Sequence, residues 1–236
     1  MIGFPPAIVY LSKNLHSPDK LKIFFVDLER LSAGLMIMRA DVNNRIDRYS
    51  RLLTAIEKDE VLTAPESPLQ LNIDEQKNIV RTLHSNIYEI QRICQYVLLR
   101  LDSCLSQGEA TYNHSIITVE HILPQNPAVG SKWFEWFPNE EERVAYVHRI
   151  GNLVLLSRRK NSEAQNFEFD KKKEKYFTSD KGVSSFALTT QVLQQNEWTP
   201  QIIEKRQAES LKVLRLLWRL GVVDGQLVTF RLSTPQ

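Results

Sequence analysis

The chain has 236 residues, 42% of them hydrophobic, and its 30 Lys and Arg against 28 Asp and Glu leave a net charge of +2. That length and apolar content suffice for one large domain or two small ones with a real core. The near-neutral balance excludes partner choice by overall charge alone, and two cysteines exclude a four-cysteine zinc cage.

The opening "MIGFPPAIVY" lacks the basic start of a secretion signal and carries two prolines. No apolar run approaches the ~20 residues that span a bilayer; "LSAGLMIMRA" comes nearest and sits between charges. The expectation is a soluble, cytoplasmic protein without a membrane partner. Leu21, Phe24, Leu28, Leu31, Leu35 and Met38 then recur at spacings of three and four, one apolar face of a helix. Asp41 to Asn44 interrupt it, and Ile46, Tyr49, Leu53 and Ile56 begin a second. Pro65 and Pro68 mark a loop. A third helix is predicted from about Ile73 to Leu105, with Ile87, Ile90, Cys94, Val97 and Leu101 inward. Its length calls for a break. Cys94 and Cys104 lie too far apart on it to bridge and read as reduced thiols.

"SQGEATYN" (Ser106 to Asn113) is a linker by composition. Beyond it the period changes. "SIITVEHI" is short and β-branched, so a strand. Trp133, Trp136 and Phe137 supply local core in the loop that follows. "NEEERVAYVHRIG" reads as a short helix capped by Asn139 with Glu142 and ended at Gly151. "NLVLLS" is a second strand, and Ser162 with Gln165 forms a capping box that starts a helix. Thr199 and Pro200 begin the last helix, which carries Leu211, Leu214 and Trp218 inward and ends near Gly221. The tail "VVDGQLVTFRLSTPQ" has the pattern of a small hairpin.

Polar residues mark the strand–loop–strand–helix stretch. Glu120 and His121 end the first strand, Asn152 opens the second, and Asn161 and Asn166 precede the run Lys171 to Lys173. Strands packed on a helix bring such positions together. Their chemistry suits metal-assisted phosphodiester hydrolysis: a neutral imidazole takes a proton from water, while a carboxylate and an amide oxygen are hard ligands for Mg²⁺ or Mn²⁺. Local charge agrees. Arg143 to Tyr176 holds nine Lys or Arg against four Asp or Glu, or +5, which leaves 2 − 5 = −3 for the rest. A basic stripe on a slightly acidic body is the footprint of a nucleic-acid contact. Each residue also has a plainer reading. His121 alone could be a surface histidine, Asn152 after Gly151 turn chemistry, Asn161 a helix cap, and the lysine run a solvated helix face; His148 reads as structural.

"VEHILPQ", "HRIGNLVLLS" and "KNSEAQNFEFDKKKEKY" resemble the C-terminal domain of the GmrSD-type restriction endonucleases, a branch of the HNH (His-Me finger) nucleases. The resemblance extends to "FFVDLERLSAGLMIMRADVNNRIDRYSRLLTAI", "EIQRICQYVLLRLDSCL" and "NEWTPQIIEKRQAESLKVLRLLW", nearly the whole chain. It implies a mainly α, α+β protein with an embedded ββα-metal unit. A helical region over 1–110, the nuclease unit over 111–180 and a closing helical region over 181–236 are expected. By resemblance, His121 is the base that activates water and Asn152 orients its ring by a hydrogen bond. Glu120 and Asn161 hold Mg²⁺ or Mn²⁺. Arg158, Arg159, Lys160, Asn166, Lys172 and Lys173 contact DNA. Asn161 stands where many HNH nucleases carry His. The family's N-terminal nucleotide-dependent sensing domain has no counterpart in these residues and is the expected partner. A catalytically degenerate DNA-binding or docking module and an RNA-cutting relative are the alternatives.

Overall fold

A computed structural model describes residues 4–107, 112, 116–157, 166–177, 186–223 and 226–227. The protein divides into two compact units, Met1–Thr82 with Trp218–Gln236, and Leu83–Leu217. Neither boundary coincides with those expected at 110 and 180.

In the first unit, helices α1 (Phe4–Lys13), α2 (Pro18–Ile37) and α3 (Val42–Glu57) are joined by most of α4 (Ile73–His84). The stripe on α2 is buried at Phe24, Leu28, Leu31 and Leu35, as its spacing predicts, and Ile37 joins it. Asp41 caps α3 by accepting from the Asn44 N–H at 2.9 Å. The buried stripe of α3 runs through Tyr49, Leu52 and Ile56, with Leu52 replacing the predicted Leu53 and Ile46 left largely exposed. A reciprocal capping box opens α4: Asn72 N–H donates to Glu75 at 2.8 Å, and Glu75 N–H donates to Asn72 at 2.9 Å. The predicted tail hairpin is present as two short antiparallel strands, β3 (Val222–Val223) and β4 (Gln226–Leu227).

The second unit holds the strand pair. The long run predicted from 73 to 105 breaks at 85–90, where a 3₁₀ turn (Ile87–Glu89) precedes α5 (Gln91–Leu105). There follow β1 (Ile117–His121), α6 (Lys132–Trp136), α7 (Glu140–Val147), a 3₁₀ turn (Ile150–Asn152) and β2 (Leu153–Ser157). After them come α8 (Phe169–Phe177), α9 (Ala187–Thr190), a 3₁₀ turn (Gln191–Gln194) and α10 (Pro200–Leu217). The strands β1 and β2 are antiparallel, with Glu120 opposite Val154 and His121 opposite Leu153. Cross-strand partners share a face, so Glu120 lies on the side of Val154 and Leu156. Those two pack into a core with Trp133, Phe137, Tyr176 and Trp198. Asn139 caps α7 by accepting from Glu142 N–H at 3.1 Å, as predicted. The predicted helix start at Ser162 lies outside the described residues. The architecture is therefore mostly helical with small sheets, consistent with α+β. Among the described residues no helix is long and apolar enough to cross a membrane.

Candidate functional site

The strand β1 ends at His121, and the ladder extends one step further through Ile122 N–H to the Asn152 carbonyl at 3.0 Å. Pro124, which has no N–H to donate, follows at once. Glu120 and His121 are both inside the strand, so their side chains leave on opposite faces. A small open cleft of about 200 Å³ runs past the strand end and touches both of them, together with Gln125, Asn126, Asn166 and Lys172.

Glu120 faces α8. Its Oε1 accepts from Lys172 Nζ at 2.7 Å and from the Tyr176 hydroxyl at 3.2 Å. Lys172 also donates to the His121 carbonyl at 2.6 Å. Both partners are buried, Lys172 to 1% exposure. Burial pushes the Glu120 carboxyl up and the Lys172 ammonium down, and each charge partly offsets the shift of the other. The placement of Lys172 among phosphate contacts is thereby corrected. Its ammonium is the internal counter-ion of Glu120, because a desolvated carboxylate needs a partner. Lys173 is likewise engaged, donating to the Gln195 carbonyl at 2.6 Å. Lys171 is the exposed member of the run.

His121 faces the other way. Its Nε2 lies 3.1 Å from His148 Nδ1, and its Nδ1 lies 3.3 Å from Gln125 Nε2. The Tyr88 ring meets it edge-on with centroids 4.1 Å apart. Burial first, then His148 and the Lys172 ammonium, push its pKa down to about 3. The ring is neutral near pH 7.

Asn152 does not touch that ring, and its expected hydrogen bond to His121 is corrected. Its Oδ1 accepts from Leu123 N–H at 2.8 Å and from Trp198 Nε1–H at 2.9 Å. Its Nδ2 donates to the Leu123 carbonyl at 3.0 Å and the Val147 carbonyl at 2.9 Å. An amide has two donors and two acceptor positions, and all four are used. Asn152 thus fastens the backbone just after His121 to the end of α7 and to Trp198. The neighbouring Gly151 serves the same purpose: a Cβ there would lie 2.3 Å from the Ile203 carbonyl of α10.

Asn161, Arg158, Arg159 and Lys160 lie outside the described residues. Among the described residues no group of three or more His, Cys, Asp or Glu gathers to hold a metal ion. The cleft's carboxylate, Glu120, is already neutralised at 2.7 Å by an ammonium. The described donors alone do not fit a divalent ion. Asn166 is exposed at the cleft, where a nucleic-acid contact was expected.

His148, weighed for the site from sequence and read as structural, completes the arrangement together with Tyr88, Gln125 and Tyr176, which sequence reasoning passed over. A signal existed for His148 in its position four residues before Asn152, one past the helix that Asn139 starts. Tyr88 and Tyr176 come from distant segments and carry no local mark.

A family model described as "GmrSD restriction endonucleases, C-terminal domain" matches residues 73–213. The stretch Phe24 to Ile56, which also resembled that family, lies outside the match. No curated protein matches the chain.

Proposed function

The chain belongs to the family of GmrSD restriction endonuclease C-terminal domains, and on that footing we propose that it hydrolyses DNA phosphodiester bonds in a modification-sensing restriction or phage-defence system. The observation that carries the reading is His121, a neutral imidazole bordering an open cleft at the end of β1, in a chain of that family.

In this reading His121 takes the proton of an attacking water as its oxygen bonds to phosphorus. The scissile P–O bond breaks, and the leaving oxygen keeps the electron pair and takes a proton from solvent. A base with a pKa of about 3 is weak. An arriving phosphodiester anion opposes the charge effect of Lys172, the third of the causes that hold the ring's pKa down. Glu120 with Lys172 sets the position of the strand end. Asn166, Lys171 and the basic segment that includes Arg158, Arg159 and Lys160 hold the DNA backbone. An HNH-type ββα unit is part of the proposal, supported by the order of β1, β2 and α8. So is a requirement for Mg²⁺ or Mn²⁺, with Asn161 as a ligand; Glu120, held by Lys172, is engaged elsewhere, and a bound ion would stabilise negative charge on the phosphate. A nucleotide-dependent sensing domain is the proposed partner, and the cytoplasm the proposed site of action.

Supercoiled plasmid, single-stranded DNA and RNA, incubated side by side with Mg²⁺, with Mn²⁺ and with chelator, test this. Plasmid nicking that depends on the divalent ion is expected. His121→Ala should lower it by at least about 100-fold while circular dichroism shows the fold retained. Preferential loss of RNA would make the protein an RNA-cutting relative. Salt-sensitive DNA retention without cleavage would make it a binding module. A His121→Ala protein that cleaves like the parent would remove His121 as the base.

A further inference from the structure

Two imidazoles can be joined through ring nitrogens only if one of them carries its proton on the shared side. His121 Nε2 and His148 Nδ1 are 3.1 Å apart, so one donates and the other accepts. On the far side of the His121 ring, Nδ1 lies 3.3 Å from the side-chain amide nitrogen of Gln125, which is a donor. A nitrogen that accepts there has no proton of its own, which puts the ring proton on Nε2 and makes His148 the acceptor.

His148 is built to stay in place. It is the C-cap residue of α7, and its carbonyl accepts from Tyr88 N–H at 3.3 Å. The Tyr88 ring stacks on it at 7° with centroids 5.3 Å apart, while its edge meets His121. The preceding Val147 carbonyl is held by Asn152. Backbone and ring are thus both fixed, as an orienting group for a base must be.

We propose that His148 is a positioning residue: its Nδ1 accepts from His121 Nε2–H and so locks His121 in the tautomer whose Nδ1 lone pair faces the cleft. This rests on the nuclease reading for its catalytic meaning and on geometry alone for the ring arrangement. It also supplies the role that the satisfied amide of Asn152 does not fill. Gln125, exposed and lining the cleft, occupies the direction along which Nδ1 accepts. The O–H of an attacking water would point along that same direction. The proton then moves from water to Nδ1, and the Nε2 proton stays where it is, shared with His148.

The test combines a spectrum with kinetics on the full chain. In protein labelled with ¹⁵N-histidine, long-range ¹⁵N–¹H correlations should give His121 a protonated Nε2 and a bare Nδ1. His148→Phe keeps an aromatic face for Tyr88 but removes the acceptor. It should leave His121 as a mixture of tautomers and lower kcat for plasmid cleavage by roughly 100-fold at unchanged KM. His148→Asn, whose side-chain oxygen reaches the position of Nδ1, should restore the single tautomer and most of kcat. A His121 protonated on Nδ1 in the parent would overturn the proposal. So would a His148→Phe protein that keeps both tautomer and kcat. A parent with the stated tautomer that cleaves no nucleic acid would support the ring arrangement and overturn the nuclease reading.

Discussion

At the scale of single residues, His121 ties the site to the pH dependence of the fold. Its pKa of about 3 in the folded chain stands against about 6.5 for an unfolded imidazole. Between those values the unfolded chain binds a proton that the folded chain refuses, so this residue makes stability rise with pH. Its contribution is fully present above the unfolded value and drains away as pH falls towards the folded one. Glu120 acts in the opposite sense, because burial raises its carboxyl and the stability it lends is lost as pH rises. A comparison with a variant separates the two. Tm followed by circular dichroism should fall between about pH 7 and about pH 4, and His121→Leu should flatten that fall. Identical slopes in parent and variant would assign the acid sensitivity elsewhere. The Glu120–Lys172 pair was not readable beforehand, since a lysine in the run "KKK" looks the same in sequence whether it faces water or a buried carboxylate. The four bonds of Asn152 were equally hidden. Three of them go to main-chain groups, which leave no trace in residue identity.

Among the elements, those set by local periodicity were legible. The stripe of α2, the cap at Asn139, the strand pair and the start of α10 at Pro200 follow from spacing and short-range hydrogen bonds. The location of the break between α4 and α5 was not, because it is set by tertiary packing of Ile87 and by Tyr88 reaching the His148 carbonyl. Gly151 shows what depends on such contacts. Its N–H donates to Gln207 at 2.7 Å and its carbonyl accepts from Arg206, so α10 lies directly against the 3₁₀ turn that opens β2. Gly151→Ala should push α10 away and lower stability by on the order of 3 kcal/mol or more in chemical denaturation. A variant within about 0.5 kcal/mol of the parent would mean that the turn can yield without disturbing the site.

On the scale of the whole molecule, the unit Leu83–Leu217 contains β1, β2 and every partner described for Glu120, His121 and Asn152. The family match at 73–213 nearly coincides with it. Residues 83–217 produced alone should therefore melt in one cooperative transition, and a broad, non-cooperative melt would show that the unit is not autonomous. The other unit joins both ends of the chain. That was illegible because one boundary falls within α4 and the other at the end of α10, with no linker composition at either. The order in which the chain is synthesised gives the ties around β1 a further meaning. Lys172, Trp198 and Gln207, which anchor the strand end or the turn beside it, all emerge from the ribosome after His121 and Asn152. A nascent or prematurely terminated chain ending before Lys172 holds its imidazole on a strand end that lacks all three of these ties. Under the proposed function, the site around His121 would be complete only once the segments that carry Lys172, Trp198 and Gln207 are in place.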